Sequence, residues 1–432
     1  MGHKNFCRDE GESSLSSGDG NFYTKFRNEI AAGGATDEKQ SQNNKATTAT
    51  TAIIVVALLA WLGIKNPWSL VFVAGLIVSV FLHELGHYLT ARRSGMKVTQ
   101  FYMGMGPRIF SFRRGEVEFG LRALPVGAFV RIVGMNNLDD CDPKDEPRTY
   151  RQQSYPKRML VITAGSLMHL LIAVVLFVGI YATAGRFGDT GNLLIVAPPA
   201  IDSPAEKIGL REGDQILAIN ETAVNSRYEL IVAIVANKPG DSVDVKFLRD
   251  GQQIVEQAVL ATNPANPEVA FLGVSSDSYA YVRQNIFNAF GYGLVDVVKT
   301  AKDSVSGLFV VLNPANIVSN VVADEPDMMT RPTTVVGASQ VGGEIGRSEG
   351  FKGVLMLLAS VNIFVGVFNM LPLLPFDGGH AAIATYERLR SRRGKVYRAD
   401  VGKMIPVATT VVVLLVMLMF AGLYLDITSP LG

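Results

Sequence analysis

Long apolar runs alternate with polar segments along this chain of 432 residues. Four runs are long enough for a helix that crosses a bilayer, which needs about 20 apolar residues. They lie at residues 68–90, 158–182, 353–376 and 404–425. A fifth run, at residues 48–64, is shorter and allows two alternatives, an additional span or a re-entrant or interfacial segment. The pattern predicts a polytopic α-helical membrane protein with four core transmembrane helices.

The polar segment after the first core run has the pattern of a β-hairpin. Residues 108–122 alternate between apolar and polar side chains on either side of Arg114-Gly115, which is a turn signal. Residues 126–133 predict another strand.

The N-terminal residues 1–48 differ from both patterns, because they are rich in small polar side chains. Such a segment buries too little apolar surface to offset its ordering entropy, and we predict a disordered tail.

The longest polar segment combines short apolar runs with helix-start signals. Ser203 and Pro204 are suited to the N-cap and first position of a helix, and a second helix is predicted near residues 226–236. Strands are predicted at VDVKFLRDG and QQIVEQAVL, after Lys238-Pro239-Gly240. This segment therefore predicts a small α+β domain. The whole chain divides into a disordered tail (1–48), an extra transmembrane or re-entrant segment (49–67), the first half of a membrane core with the hairpin (68–184), the α+β domain (185–275), a connector (276–352) and the second half of the core (353–432).

Composition supports a membrane protein and gives no basis for nucleic-acid binding. Hydrophobic residues make up 48% of the chain, charged residues 18%, and the net charge is +1. Soluble domains have about 25% charged residues. With two cysteines in the chain, a zinc site built from thiolates is not expected.

The distribution of lysine and arginine predicts the orientation in the membrane. Loops 91–157 and 385–403 are both rich in these residues. Short basic loops stay in the cytoplasm. We therefore expect a multi-pass protein of the cell membrane, with the segment 185–350 on the extracytoplasmic side.

Residues 83–87 read HELGH at the inner end of the first core helix. His83 and His87 are four residues apart, so they lie on one helix face and can bind the same metal ion. Glu84 lies next to them as a candidate general base, the arrangement found in zinc-dependent proteases. Ionisable groups beside hydrocarbon are costly and mark functional sites. The spacing therefore predicts a zinc site near the cytoplasmic face.

A catalytic zinc site needs a third protein ligand. The stretch NMLPLLPFDGGH, residues 369–380, closes the third apolar run. Pro372 and Pro375 break the helix there, and irregular backbone at membrane depth is tolerated only against protein or a wet cavity. Asp377 follows the break and is the predicted third ligand. His380 is the rival ligand, for which we expect a supporting or structural role.

HELGH, LRALPVGAFVRIVGM and NMLPLLPFDGG occur in this order on membrane segments, and together they resemble the site-2 protease family of intramembrane zinc metalloproteases. The resemblance covers about residues 68–425. It implies that the hairpin is membrane-associated and guides an unwound substrate. It further implies roles for individual residues: zinc ligands His83, His87 and Asp377, catalytic base Glu84, and Asn369 as an accessory that holds the substrate strand or polarises its carbonyl.

The middle of the chain adds a second resemblance and one departure. GLREGDQILAIN and its flanking strands resemble a circularly permuted PDZ domain, as in the bacterial branch of the family. Such a module binds extended peptides by strand addition or acts as a steric filter. The departure is AGSLMH, residues 164–169, where the family often has Gly-Pro followed by Asn. We expect His169 to be a packed helix histidine.

The resemblance implies an intramembrane protease that cuts single-span membrane proteins, either anti-sigma-factor-like proteins or signal-peptide remnants. The alternative is a non-catalytic membrane adaptor with a PDZ module and a structural metal. The two differ in the metal site, because a structural zinc is closed by four protein ligands. A transporter is a third alternative, but the sequence lacks the internal repeat expected of many transporters.

Overall fold

The computed structural model describes residues 45–135, 141–323, 325–391 and 396–431. Most of the predicted disordered tail, residues 1–44, lies outside the described residues, as do Arg392, Arg393 and Lys395 of the second basic loop. The chain forms two compact units. Unit 2 is Val178–Phe290, and unit 1 comprises the residues before and after it.

Unit 1 is built mainly of helices. Its elements before unit 2 are α1 (Lys45–Lys65), α2 (Pro67–Arg93), β1 (Val98–Arg114), β2 (Val117–Ile132) and most of α3 (Tyr155–Thr183). Short 3-10 turns at Pro143–Arg148 and Tyr150–Gln152 lie between β2 and α3.

Unit 2 contains the end of α3, then β3 (Arg186–Ile195), α4 (Pro204–Lys207), β4 (Gln215–Ile219), β5 (Thr222–Ala223), α5 (Arg227–Val235), β6 (Ser242–Arg249), β7 (Gln252–Val259), β8 (Ala261–Asn263), β9 (Asn266–Phe271) and β10 (Ser276–Val282). From there the chain continues into α6 (Ile286–Val311), α7 (Pro314–Val322), α8 (Val335–Asn369), α9 (Asp377–Arg390) and α10 (Ile405–Thr428).

Among the described residues, five helices are long and apolar enough to cross a membrane. They are α1, α2, α3, α8 and the helix that ends with α10. Helices α6 and α7 pass the same test together, with a bend of 65° between them. The prediction of a polytopic α-helical membrane protein is confirmed. Helix α1 has the length required for the first of the two alternatives predicted for residues 49–67.

Helix α2 begins where local sequence signals place it. The Asn66 side chain accepts a hydrogen bond from the Trp68 backbone amide, and Pro67 occupies the first helical position. Both features are favourable at a helix start, because the first amides of a helix lack intrahelical partners. The helix ends after Arg93, where Ser94 and then Gly95, with a φ of 79°, reverse the chain.

Helix α8 begins well before residue 353, where we predicted the third core helix to start. Thr334 caps its first turn, and Gly350 interrupts it with a φ of 66°. The part before Gly350 is rich in glycine, so its hydropathy is weak. Its glycines allow close packing on α2: a Cβ at Gly343 would lie 2.4 Å from the Ser69 hydroxyl oxygen, and one at Gly346 would lie 2.3 Å from the Trp68 ring.

The hairpin region is larger than the predicted residues 108–122. Residues 110–114 pair with residues 117–121 across the predicted turn. Residues 98–103 pair with residues 128–132, so the separately predicted strand is the second half of β2. Among the described residues, segment 128–132 has a strand partner on one side alone. That open edge lines the cavity described below.

Unit 2 is an α+β domain, as predicted. Its main sheet has the order β10-β3-β4-β6-β7, with β5 paired to β4, and β8 pairs with β9. Ser203 and Ser226 cap α4 and α5 through their side chains. The core packs buried aliphatic residues of the sheet and both helices around Phe247. Strand β10 belongs to this sheet and follows the predicted domain 185–275.

Candidate metal centre

Three side chains converge at the inner end of α2. The metal-binding atoms of His83, His87 and Asp377 all lie within 4.8 Å of one another. The Nε2 atoms of the two histidines are 3.1 Å apart. One Asp377 carboxylate oxygen lies 3.2 Å from Nε2 of His87 and 3.5 Å from Nε2 of His83. The structure therefore brings the helical pair and the remote carboxylate together, as the sequence predicts.

The packing of α3 against α2 orients the ring of His87. Its Nδ1 lies 2.7 Å from the backbone carbonyl oxygen of Val161. A carbonyl accepts hydrogen bonds and does not donate them, so Nδ1 carries the proton. The other nitrogen, Nε2, then presents its lone pair to the cluster. Such a partner fixes the tautomer and direction of a ligating histidine.

Gly165 of α3 leaves a space beside both imidazoles. A Cβ at this position would lie 2.4 Å from Nε2 of His87 and 2.6 Å from Nε2 of His83. A zinc–imidazole bond is about 2.0–2.1 Å long. The volume that a Gly165 side chain would fill is thus close to where a shared metal ion would bind. The nitrogen and carboxylate donor set, together with this space, fits zinc.

Asp377 reaches the cluster because the chain turns sharply between α8 and α9. It is the first residue of α9, directly after the irregular segment that contains both prolines. Gly378 makes the turn sterically feasible, since a Cβ there would lie 2.2 Å from the Met370 carbonyl oxygen. The Phe376 ring packs edge-on against Phe368 of α8, with centroids 4.7 Å apart. These contacts anchor the carboxylate to the end of α8.

Asn369, the last residue of α8, lies within the cluster. Its side-chain amide nitrogen donates to Asp377 at 2.8 Å and lies 3.3 Å from Nε2 of His83. The donated hydrogen bond orients the carboxylate. Asn369 is therefore next to the predicted ligands and lines the cavity beside them.

A cavity of about 210 Å³ opens at the cluster. Glu84 lines it together with the two histidines, Asp377 and Asn369, and the opposite wall is the open-edge segment 128–132 of β2. The backbone of Val130 also hydrogen-bonds the Glu84 carboxyl group. A candidate base, a candidate metal site and an unpaired strand edge thus share one cavity.

The two remaining histidines of this region have different surroundings. His380 lines the cavity but does not belong to the group of candidate ligands found among the described residues. Burial lowers the pKa of the His380 imidazole, and the Asp377 carboxylate opposes this shift. His169 is buried in α3, where its ring centroid lies 4.9 Å from that of His83 and its Nδ1 lies 2.8 Å from the Asn362 side-chain oxygen. That it is only a packed helix histidine stays a prediction.

Sequence reasoning missed the contributions of α3 and the backbone. Val161 and Gly165 carry no ionisable group, and no metal-binding motif includes them. A signal was present for Gly165 alone, since it lies in the AGSLMH stretch that departs from the family pattern. The hydrogen bond from Val130 could not be predicted, because it depends on how β2 folds over α2.

Residues 71–414 match the family model described as Peptidase family M50. The chain belongs to peptidase family M50. Within it, the zinc metalloprotease Rip1 of Mycobacterium tuberculosis is 32% identical over 399 residues, which cover 84% of this chain and 97% of that protein. The zinc metalloprotease Rip1 of Mycolicibacterium smegmatis is 31% identical over 408 residues, with the same coverage of 84% and 97%. The M50 relationship confirms the site-2 protease resemblance.

As a member of family M50, the protein is an intramembrane zinc metalloprotease and a multi-pass membrane protein. The alternative of a non-catalytic adaptor is not supported.

Among solved structures, the PDZ domain of the SdrC-like protein from Listeria monocytogenes is similar to part of the chain. It is 22% identical, covers 20% of this chain and 87% of that chain, and has a TM-score of 0.18.

Proposed function

We propose that this M50 protease hydrolyses peptide bonds in or near the transmembrane segment of single-span membrane proteins. Two substrate classes fit, anti-sigma-factor-like proteins and signal-peptide remnants. The proposal is carried by one observation: the candidate ligands His83, His87 and Asp377 share a cavity with Glu84 and an open strand edge. The three ligands leave a coordination position for a reactant, as catalytic zinc sites do.

In this scheme each side chain of the site has a separate role. His83, His87 and Asp377 hold zinc, which when bound supplies a Lewis acid that polarises a carbonyl and makes water more acidic. Glu84 takes a proton from the attacking water and later delivers it to the leaving amine. Asn369 orients Asp377 and donates toward the scissile carbonyl. Both histidines are buried beside the cavity.

The open edge of β2 is suited to holding an unwound substrate. A helical peptide bond is shielded by its own hydrogen bonds, so the segment must extend before it is cut. Residues 128–132 line the cavity and can pair with an extended chain on their free side. Main-chain pairing of this kind binds peptides with little dependence on sequence.

The basic loops support an active site near the cytoplasmic side and an extracytoplasmic unit 2. Lys97, Arg148 and Arg151 cluster beside the hairpin, between α2 and α3. With this orientation α1 forms an additional span, and its C-terminal end lies directly before the start of α2 in the chain. We assign unit 2 as a PDZ-like domain that acts as a filter for bulky extracytoplasmic domains or contacts peptides.

The direct test is the Glu84→Gln variant of the full chain, reconstituted in lipid nanodiscs with a single-span membrane peptide. The variant should retain zinc as the wild-type protein does, and its cleavage rate should fall by about 10²–10⁴-fold, the usual contribution of a general base. Cleavage is followed by mass spectrometry of the products.

The matched control is Glu344→Gln, because the Glu344 side chain is 55% exposed and pairs with Arg347 on the surface. This control should cleave at the wild-type rate. Normal cleavage by Glu84→Gln would show that Glu84 is not the base. Cleavage of a soluble unfolded peptide but of no membrane peptide would reject the proposed substrate class.

A further inference from the structure

Unit 2 carries an exposed cluster of aromatic side chains on one face of a two-stranded ribbon. Residues 186–189 of β3 pair with residues 279–282 of β10. Phe187 lies directly opposite Tyr281, with ring centroids 5.1 Å apart, and Tyr279 lies 6.0 Å from the same phenylalanine. We call these three side chains the aromatic ribbon.

The aromatic ribbon is not covered by the rest of unit 2. Phe187, Tyr279 and Tyr281 are 55%, 48% and 50% exposed. The core of the unit uses the other end of β3, where Leu193 and Ile195 are buried. Among the described residues, β4 pairs with β3 only beyond the ribbon, at Leu194.

An uncovered ribbon of this kind is unfavourable in water. A two-stranded hairpin without a packed face is marginally stable by itself. Contiguous exposed aromatic surface on a folded domain marks a contact with another phase or molecule. Two further exposed side chains, Phe287 and Phe290, follow β10 in the same unit.

The ribbon is attached directly to the end of a membrane helix. Helix α3 is long and apolar enough to cross the bilayer and ends at Thr183. Phe187 is four residues further on, a distance of at most about 14 Å for a fully extended chain. The Gln284 amide, just after β10, donates to the Tyr181 carbonyl oxygen at 2.9 Å, so the second strand also returns to the helix end.

We propose that the aromatic ribbon inserts into the headgroup region of the bilayer and anchors unit 2 to the membrane surface. Tyrosine rings are amphipathic and are enriched at this level of membrane proteins. The polar hydroxyl groups of Tyr279 and Tyr281 remain hydrated while the ring faces contact lipid. Next to Phe187 in the sequence, the Arg186 guanidinium lies 6.0 Å from the Tyr181 ring, so a basic side chain packs on an aromatic ring at the end of α3.

This anchor has a consequence for the arrangement of the protease. Unit 2 is joined to the membrane part by two chain connections, at the end of α3 and at the start of α6. A third contact through the ribbon restrains the tilt of unit 2 relative to the bilayer.

The test places a fluorescent reporter in the ribbon. Phe187→Trp is compared with Tyr228→Trp, a matched exposed position on α5 with 76% exposure. Both variants are full chains in nanodiscs that hold one copy each, and the signal of the unmodified chain, which contains Trp61 and Trp68, is subtracted. Lipids brominated near the headgroup report contact with the bilayer, and acrylamide reports contact with water.

The added signal of Phe187→Trp should fall at least twofold in brominated lipid and should be at least twofold less sensitive to acrylamide than that of Tyr228→Trp. Tyr281→Trp repeats the measurement from the opposite strand, in case the first variant folds poorly. Equal acrylamide quenching at both positions, without quenching by lipid, would overturn the proposal. Protection from both quenchers would also overturn it, since another part of the protein would then cover the ribbon.

Discussion

The two halves of the metal centre are held in different ways. His83 and His87 belong to one continuous helix, and their spacing alone places them on one face. Asp377 begins a different helix, and its position depends on contacts between segments that are far apart in the chain. Local geometry thus provides half of the site, and tertiary packing provides the other half.

This difference indicates which substitutions should disturb each half of the site. The histidine half needs helix α2 and a neighbour that leaves room for metal. The carboxylate half needs the turn after α8, the close approach of Gly378 to the backbone, and the docking of α9. Substitutions that act on one half alone test whether this division is correct.

The largest effect is expected from Gly165→Ala, which fills the space beside both imidazoles. The new Cβ would lie 2.4 Å from Nε2 of His87, so zinc binding should weaken by more than about 100-fold. Zinc affinity is measured by competition with a chelator. Gly179→Ala is the control in the same helix, because a Cβ there meets nothing within 4 Å. Unchanged affinity in Gly165→Ala would mean that the metal binds elsewhere.

Gly378→Ala should have the next largest effect, because it acts on the carboxylate half. The added Cβ would be 2.2 Å from the Met370 carbonyl oxygen, and backbone atoms there cannot move aside cheaply. The first turn of α9 must shift, and zinc affinity should fall by about 10–100-fold. Gly307→Ala in α6, with open space around its Cβ, is the control. A larger loss than in Gly165→Ala would reverse the proposed ranking.

Glu387→Gln tests the docking of α9 at its far end. The Glu387 carboxylate accepts a hydrogen bond from Arg158 of α3 at 2.8 Å and one from the Ala399 amide, and both charged residues are buried. Loss of one partner from a buried ion pair costs about 3–5 kcal/mol of stability. Zinc affinity should fall by less than tenfold, since Glu387 is nearly three turns from Asp377.

The thermal midpoint and zinc affinity of Glu387→Gln are measured on the same reconstituted sample. Glu344→Gln, at an exposed ion pair, should change stability by less than about 0.5 kcal/mol. Full stability in Glu387→Gln would show that the ion pair does not hold α9 in place.

The smallest effect is expected from Asn66→Ala at the start of α2. The substitution removes the side-chain cap on the Trp68 amide, which costs about 1 kcal/mol. The histidines are more than four turns away, so zinc affinity should stay within twofold of the wild-type value. A clear loss of zinc would show that the histidine half also depends on distant contacts.

The same division separates what could be predicted from what could not. The i, i+4 spacing predicts the histidine pair, because residues four apart in an α-helix lie on the same face. Asp377 was predicted from the helix break and the family resemblance, not from local geometry. The early start of α8 was missed, since its glycines stabilise packing against Trp68 and contribute little hydropathy. Gly165 was missed for the related reason that its role is to leave space.

The central claim is that Asp377 completes the zinc site formed by the two histidines. The most direct test is the zinc content of purified Asp377→Asn, compared with the wild-type chain and with Asp303→Asn, an exposed position on α6. The account predicts about one zinc per chain in the wild type and in Asp303→Asn, and a loss of most zinc in Asp377→Asn. Wild-type zinc content and affinity in Asp377→Asn would contradict it.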